Sequence, residues 1–199
     1  MHDNFLHKAK DWDALPLRVQ NTLSISHAIM NEFKLNDSME IMDFGVGTGL
    51  LGFEIARHVK KVYGVDTSKS MLEQLEAKNT PELSITPLCQ DIVAEPLSQK
   101  FDGVISSMTL HHIEHLDQFF KVLHRHLKDE SFIAIADLER EDGTFHSDNT
   151  GVFHFGFDTD ELIKIVEDAG FWHVKVQTTH TISKPHRDFP IFLLSARKR

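Results

Sequence analysis

The stretch Ile41-Met42-Asp43-Phe44-Gly45-Val46-Gly47-Thr48-Gly49-Leu50-Leu51-Gly52 decides the fold. Residues 39–44 are a short apolar run that reads as a buried strand. Glycines at 45, 47 and 49 let the backbone turn sharply and approach a ligand closely. The helix that begins near Gly49 aims its free N–H groups at any carboxylate or phosphate lying there. Asp43, at the last turn of the strand, is placed to accept hydrogen bonds from an ammonium group. Strand, tight loop and helix in that order open an α/β unit.

Outward from this unit the same alternation continues. Upstream, Val19, Leu23, Ile29 or Met30, and Phe33 recur at helical spacing, with Pro16 suited to a first turn and Trp12 just ahead of it. Downstream, the pattern predicts a helix over 50–58, a strand over 62–65, and a helix capped by Ser68 with Met71, Leu72 and Leu75 on one face. A third strand over 85–89 contains Pro87 and is therefore short or at an edge. A fourth strand covers 101–107. Leu116, Phe119, Phe120, Leu123 and Leu127 trace a helical stripe, and 132–138 is a fifth strand. Asp158 and Glu161 resemble a capping box, and Gly170 a stop, for the helix between them. Two strands, 172–179 and 189–196, follow with no helix between, so they pair antiparallel or lie in different sheets. Such a chain is an α/β protein with a doubly wound, mostly parallel sheet and helices on both faces. It reads as a single domain over 1–199, a helical cap at 1–38 and a core at 39–199. Ligands of such sheets bind beyond the carboxyl ends of the strands.

Composition narrows the partners. Apolar residues make up 41% and charged residues 26%, ordinary for a globular domain. The net charge of −9 argues against a nucleic-acid backbone as the main partner, which would need a concentrated basic face. The short cluster Arg197-Lys198-Arg199 reads as a ragged charged end. No apolar run is long enough for a membrane span, and the polar start Met1-His2-Asp3-Asn4 does not read as a signal peptide. The single cysteine, Cys89, forbids an intrachain disulfide and fits a reducing compartment, so a cytoplasmic location is expected. Fourteen histidines raise the question of metal or proton chemistry.

Two further strand ends carry acids. Asp66, closing Val62-Tyr63-Gly64-Val65-Asp66, is placed to accept two hydrogen bonds from a ribose diol. Asp91 follows the third strand, where it can receive an exocyclic amine while Ile92 offers an apolar edge to a base. Taken in order, the motif 43–49, Asp66, Gln90-Asp91-Ile92 and Phe101-Asp102-Gly103-Val104-Ile105-Ser106-Ser107 resemble the motifs of class I S-adenosylmethionine-dependent methyltransferases. The resemblance runs from about residue 39 to the end. It implies a Rossmann-like seven-stranded sheet whose last strand is antiparallel and reached by a hairpin. It further implies that Asp43, Phe44, Gly45, Gly47, Thr48 and Gly49 support the methionine moiety of S-adenosylmethionine, with Asp43 near its amino group. Asp66 would hold the ribose, with Thr67, Ser68 and Met71 around it, and Asp91 and Ile92 the adenine. Ser107 and Met108 would face the sulfonium, and S-adenosylhomocysteine would be the product. A rival reading is open: Gly47-Thr48-Gly49-Leu50-Leu51-Gly52 satisfies the dinucleotide pattern G-x-G-x-x-G, with Asp66 some twenty residues beyond. A cofactor-binding regulatory protein without turnover is a third.

The acceptor side is less defined. His111 and His112, after the fourth strand, are candidates to orient or deprotonate an acceptor, His112 slightly the better; packing against the next helix or hydrogen-bonding the backbone is the competing reading. Glu139, His146 and His154 fall in a long irregular stretch after the fifth strand that reads either as a lid or as an ordinary surface loop. His146 and His154, even with Glu139 or Asp148, match no standard zinc spacing, so no metal is expected. Trp12 would stack on a ligand or fill a gap in the cap. A small-molecule acceptor, with no nucleic acid and no membrane, is the expected partner, and the methylated atom is an oxygen, nitrogen or carbon.

Overall fold

In the computed structural model, which describes residues 9–199, the run after Met39 forms strand β1, Glu40–Phe44, and the glycine loop delivers the chain into helix α2, Leu50–Ala56. Helix α1, Pro16–Glu32, precedes them, with Pro16 at its first position as its fixed φ favours. There follow β2 (Lys61–Asp66), α3 (Lys69–Lys78), β3 (Ile85–Cys89), β4 (Phe101–Ser107), α4 (Leu116–Arg125), β5 (Leu127–Leu138), α5 (Thr159–Asp168), β6 (Trp172–Lys184) and β7 (Arg187–Arg197). The polar start Met1–Asn4 lies outside the described residues.

The strands form one sheet in the order β3-β2-β1-β4-β5-β7-β6. The first five run parallel, and β7 enters antiparallel between β5 and β6. Pro87 is tolerated because β3 is an edge strand. Alternate side chains of each strand serve opposite faces. Ile41, Ala134 and Leu193 join Ile25, Ile29, Leu51, Ile55 and Leu75 of α1, α2 and α3. Met42, Ile133, Ile135 and Leu194 join Phe119, Phe120, Leu162 and Val166 of α4 and α5. Helix α1 is thus a full member of one layer: its C-terminal Phe33 stacks on Phe132 of β5 with ring centroids 4.1 Å apart.

Several expectations change in detail. Strand β6 continues to Lys184, five residues past the predicted end, because its polar residues face solvent on the outer edge. Asp158 caps α5 by accepting from the Asp160 and Glu161 amides, but Glu161 does not complete a reciprocal box, since its carboxylate pairs with Arg140 at 3.0 Å. The C-terminal cations are not ragged. Lys198 is buried and its Nζ donates to the His124 and Leu127 carbonyls at the end of α4, where free carbonyls and the helix dipole favour a cation. Arg197 lies over Phe33 and Arg199 over Trp172.

Candidate active site

The carboxyl ends of β1, β2, β4 and β5 converge where the strand order reverses between β1 and β4. Gly45, Gly47 and Gly49 adopt φ of 67°, 54° and 88°, the left-handed region that side chains resist. Beneath them Asp43 is 2% exposed, and its Oδ2 has no hydrogen-bond partner among the described residues. Burial first, and then repulsion from Asp66, push the Asp43 carboxyl well above the usual carboxylate range, the Gly52 amide offsetting only part. A buried acid left in that state awaits a cationic donor. Gly52 is needed for close approach: a Cβ there would lie 2.7 Å from Ile85 Cδ1 and 2.9 Å from Asp43 Oδ2.

Asp66 ends β2 and braces the loop, accepting from the Gly47 amide through Oδ2 and the Ser68 amide through Oδ1, both at 2.8 Å. Thr67 is exposed beside it. Ser68 and Met71 are both buried, Ser68 Oγ accepting from the Met71 amide as the cap of α3. Asp91 Oδ1 accepts from the Val93 and Ala94 amides and shapes the turn after β3. Ile92 is not an open edge for a base. It is 0% exposed, in the core with Val65 and Leu110.

Phe44 packs on Phe119 at 4.8 Å. At the end of β4, Ser107 is half-buried, and Met108 is held at φ 56°, a conformation costing a non-glycine residue about 1–2 kcal/mol. Such strain gathers at functional sites. Thr109 then reaches back to the glycine loop, its hydroxyl donating to the Gly45 carbonyl at 3.3 Å. Thr48 donates to Asp13 at 2.5 Å, and Asp13 also pairs with Lys78 at 2.5 Å. Asp13, which no local pattern marks, thereby ties the amino-terminal turn to the loop. Trp12 has a partner already, the Arg18 guanidinium 3.7 Å from its ring centre.

Next to the loop lies a cluster of imidazoles. His111 and Asp137 are 1% and 0% exposed; the His111 Nδ1–H donates to the carboxylate at 2.9 Å and its backbone amide donates at 3.2 Å. Burial alone would lower the His111 pKa and raise that of Asp137. The attraction that Asp137 exerts on a protonated His111, with the hydrogen bond between them, outweighs burial, so His111 is raised and Asp137 lowered. Adjacent strand ends make the pair, since Ser107 of β4 is in register with Ala136 of β5. A lone acid one residue before the end of the apolar run 132–138 was the signal that could have found Asp137, though not its partner.

His112, the candidate ranked first from sequence, donates from Nδ1 to the Gly151 carbonyl at 2.6 Å and anchors the 139–158 segment. His146 is brought from that segment to 4.8 Å from His111 and 6.5 Å from His112, ring centre to ring centre. Two other candidates are engaged otherwise. Glu139 accepts from Thr178 of β6 at 2.7 Å, and His154 Nε2 donates to the Ile113 carbonyl at 2.9 Å. Among the described residues no group of acids, histidines and cysteine is arranged to hold a metal ion.

Comparison with known proteins agrees with this arrangement. A family profile described as a methyltransferase domain matches residues 41–130. An uncharacterized methyltransferase of Schizosaccharomyces pombe is 30% identical over 166 residues, 74% of this chain and 58% of the relative. The ubiquinone biosynthesis O-methyltransferase of Coxiella burnetii is 32% identical over 118 residues, 55% of this chain and 49% of the relative. The chain spans about half the length of these curated relatives. Magnesium protoporphyrin IX methyltransferase from Synechocystis PCC 6803, solved with S-adenosylmethionine bound, shares the fold at a TM-score of 0.68 and 19% identity, over 100% of this chain and 86% of that one. The strand order, with its antiparallel hairpin, also departs from the 3-2-1-4-5-6 order of dinucleotide-binding folds. Residues 41–130 are thus a methyltransferase domain, and the sheet as a whole has the fold of class I S-adenosylmethionine-dependent methyltransferases.

Proposed function

We propose that this chain transfers a methyl group from S-adenosylmethionine to an oxygen, nitrogen or carbon atom of a small molecule. The observation that carries the reading is the buried, unpartnered Asp43 oxygen beneath a left-handed glycine loop. An ammonium group bound there would satisfy it and restore its charge. On this reading the loop 45–49 supports the same end of the ligand, Asp66 accepts from the ribose hydroxyls, and Asp91 accepts from the adenine amine. When bound, S-adenosylmethionine supplies an electrophilic methyl carbon and leaves as S-adenosylhomocysteine.

Positioning and exclusion of water supply most of the acceleration of such a displacement. Met108 and Thr109 set the floor between the glycine loop and the histidine cluster. Where the acceptor must lose a proton, His111 takes it: Asp137 engages Nδ1, so Nε2 is the proton-accepting nitrogen, and the carboxylate stabilises the imidazolium. His112 holds the 139–158 segment over this pair. The net charge of −9 supports a small acceptor over a nucleic acid. No helix among the described residues is long and apolar enough to cross a membrane, and a cytoplasmic location is part of the proposal.

The test is calorimetric titration with S-adenosylmethionine, S-adenosylhomocysteine and NAD(H). Saturable binding of the first two, with none of the third, is expected. Binding of NAD(H) alone would overturn the reading and return the glycine loop to a dinucleotide.

A further inference from the structure

The segment 139–158 is folded back onto the turn after β4 by three contacts. His112 Nδ1–H donates to Gly151, the Phe153 amide donates to the His111 carbonyl at 2.9 Å, and His154 donates to Ile113. From the other side the β6–β7 hairpin holds it: Lys184 donates to the Phe145 carbonyl, and Arg187 pairs with Asp142 at 3.2 Å. This double clasp lays His146 against His111 and leaves its Nε2 buried without a hydrogen-bond partner among the described residues. Aromatic rings wall it in. Phe145 meets His146 edge-on at 4.8 Å, and Phe189 lies 5.2 Å beyond Phe145. A buried imidazole nitrogen with nothing to bond, beside a histidine–aspartate pair and an aromatic wall, is an incomplete polar site.

We propose that His146 Nε2 binds the hydroxyl oxygen of the methyl acceptor, that the acceptor is an aromatic hydroxyl compound, and that its proton passes to His111 on binding. The proposal rests on the methyltransferase reading above and adds the acceptor's chemical class. The charges around the ring select that class. His111, His112, Lys184, Asp137 and Glu141 all act on the cluster. An ammonium acceptor would add a cation beside Lys184 and the imidazolium that forms at His111, and a carboxylate would bring no proton for the His111–Asp137 pair to take. A hydroxyl enters neutral. Its O–H bond breaks with the electron pair left on oxygen, and an N–H bond forms at His111 Nε2. The new oxyanion then lies beside the new imidazolium, and total charge is unchanged. An aliphatic alcohol is too weak an acid for an imidazole, whereas a phenol, ionising near pH about 10, is within reach.

The state of His146 suits the role. Burial first, then His111 and His112, hold its pKa down to about 4, with Asp137 opposing and Lys184 reinforcing. It therefore stays neutral at neutral pH. A neutral N–H donor orients an oxyanion without handing it a full proton, as an imidazolium would.

The experiment uses para-nitrophenol, whose colour reports its ionisation, added to the full chain saturated with S-adenosylhomocysteine at a pH below the probe's own ionisation. Nitrophenolate absorbance should rise to saturation with the wild-type chain. His111→Gln should bind the probe without colour. His146→Phe, which keeps the ring volume, should bind it about tenfold or more weakly, while para-nitroanisole, lacking the hydroxyl, should bind both chains alike. If His146→Phe does not fold, His146→Gln and the wild-type colour measurement carry the test. No binding of para-nitrophenol to the saturated chain, binding without ionisation, or equal affinity for wild type and His146→Phe would overturn the proposal. Failure of S-adenosylhomocysteine to bind in calorimetry would instead overturn the underlying methyltransferase reading.

Discussion

Gly45 and Gly47 lie two residues apart in one loop, with φ of 67° and 54°, yet an added methyl group would meet different surroundings. At Gly45 a Cβ would sit 2.2 Å from Thr109 Cγ2 and 2.3 Å from its Oγ1. At Gly47 it would meet no atom of the described residues within 4 Å. Both alanines incur the left-handed cost of about 1–2 kcal/mol. Only at Gly45 is overpacking added, about 1–3 kcal/mol, because Thr109 is fixed by hydrogen bonds to the Gly45 and Ser107 carbonyls and cannot swing away freely. Gly45→Ala should therefore lose about 2–5 kcal/mol of stability and Gly47→Ala about 1–2 kcal/mol. In a chain of this size each kcal/mol lowers Tm by about 2–4 °C.

Ligand affinity should rank differently. The proposed function puts the ligand over Gly47, so the added methyl group should cost S-adenosylhomocysteine about 1.4 kcal/mol or more, a tenfold loss. The assay pairs urea denaturation of the ligand-free variants with calorimetric titration below both transitions. The expected result is that the milder lesion for the fold, Gly47→Ala, binds poorly while still folded. Wild-type affinity in Gly47→Ala would refute the placement of the ligand over the loop, and equal destabilisation by the two variants would refute the steric argument.

Two other substitutions test separate joints of the structure. Asp43→Asn should raise stability at neutral pH and weaken S-adenosylmethionine by about 1.5–3 kcal/mol, the worth of a hydrogen bond to a charged group. The sign follows from linkage: a carboxyl whose folded pKa is raised stabilises below its unfolded pKa and loses that contribution as pH rises through the folded one. The gain in Asp43→Asn should thus vanish in acid and grow toward neutrality; a gain independent of pH would count against the raised carboxyl. His126 is 2% exposed, donating from Nδ1 to Val122 and accepting the Leu97 amide at Nε2 at 2.9 Å. His126→Phe keeps the volume but orphans the Leu97 amide, and should cost about 1–3 kcal/mol in urea denaturation. Wild-type stability would show that this amide finds another acceptor.

Reading the chain as a sequence works where the determinants are local. The glycine loop, the helix caps at Ser68 and Asp158, and the absence of a helix between the last two strands are contained within a few residues each, so the alternation and its closing hairpin are legible without coordinates. Residues near a motif were harder to place. Ser68, Met71 and Ile92 neighbour Asp66 and Asp91 in sequence, and in the structure a helix cap and the core also engage them. The dinucleotide match at 47–52 has the same origin. Gly52 fits that pattern because α2 must pass close to Asp43 and Ile85, a packing requirement shared by folds that bind different ligands.

What the sequence conceals most is which polar strand ends bond to one another, and this decides the chemistry. His111 and Asp137 are 26 residues apart, and nothing in either's neighbourhood signals the other. Parallel register makes the pairing: β4 stops at Ser107 opposite Ala136 while β5 runs on to Leu138, so the first turn after β4 meets Asp137 in a buried place. Once Asp137 is bound to His111, the roles of the remaining histidines follow by exclusion. His112 and His154 are committed to carbonyls, His126 spans two backbone groups, and His146, which lies against His111, keeps a buried nitrogen unmatched, as does His180 of β6 away from this cluster. Around His111, then, two histidines hold the 139–158 segment in place, and His146 is the one the proposal gives to a ligand.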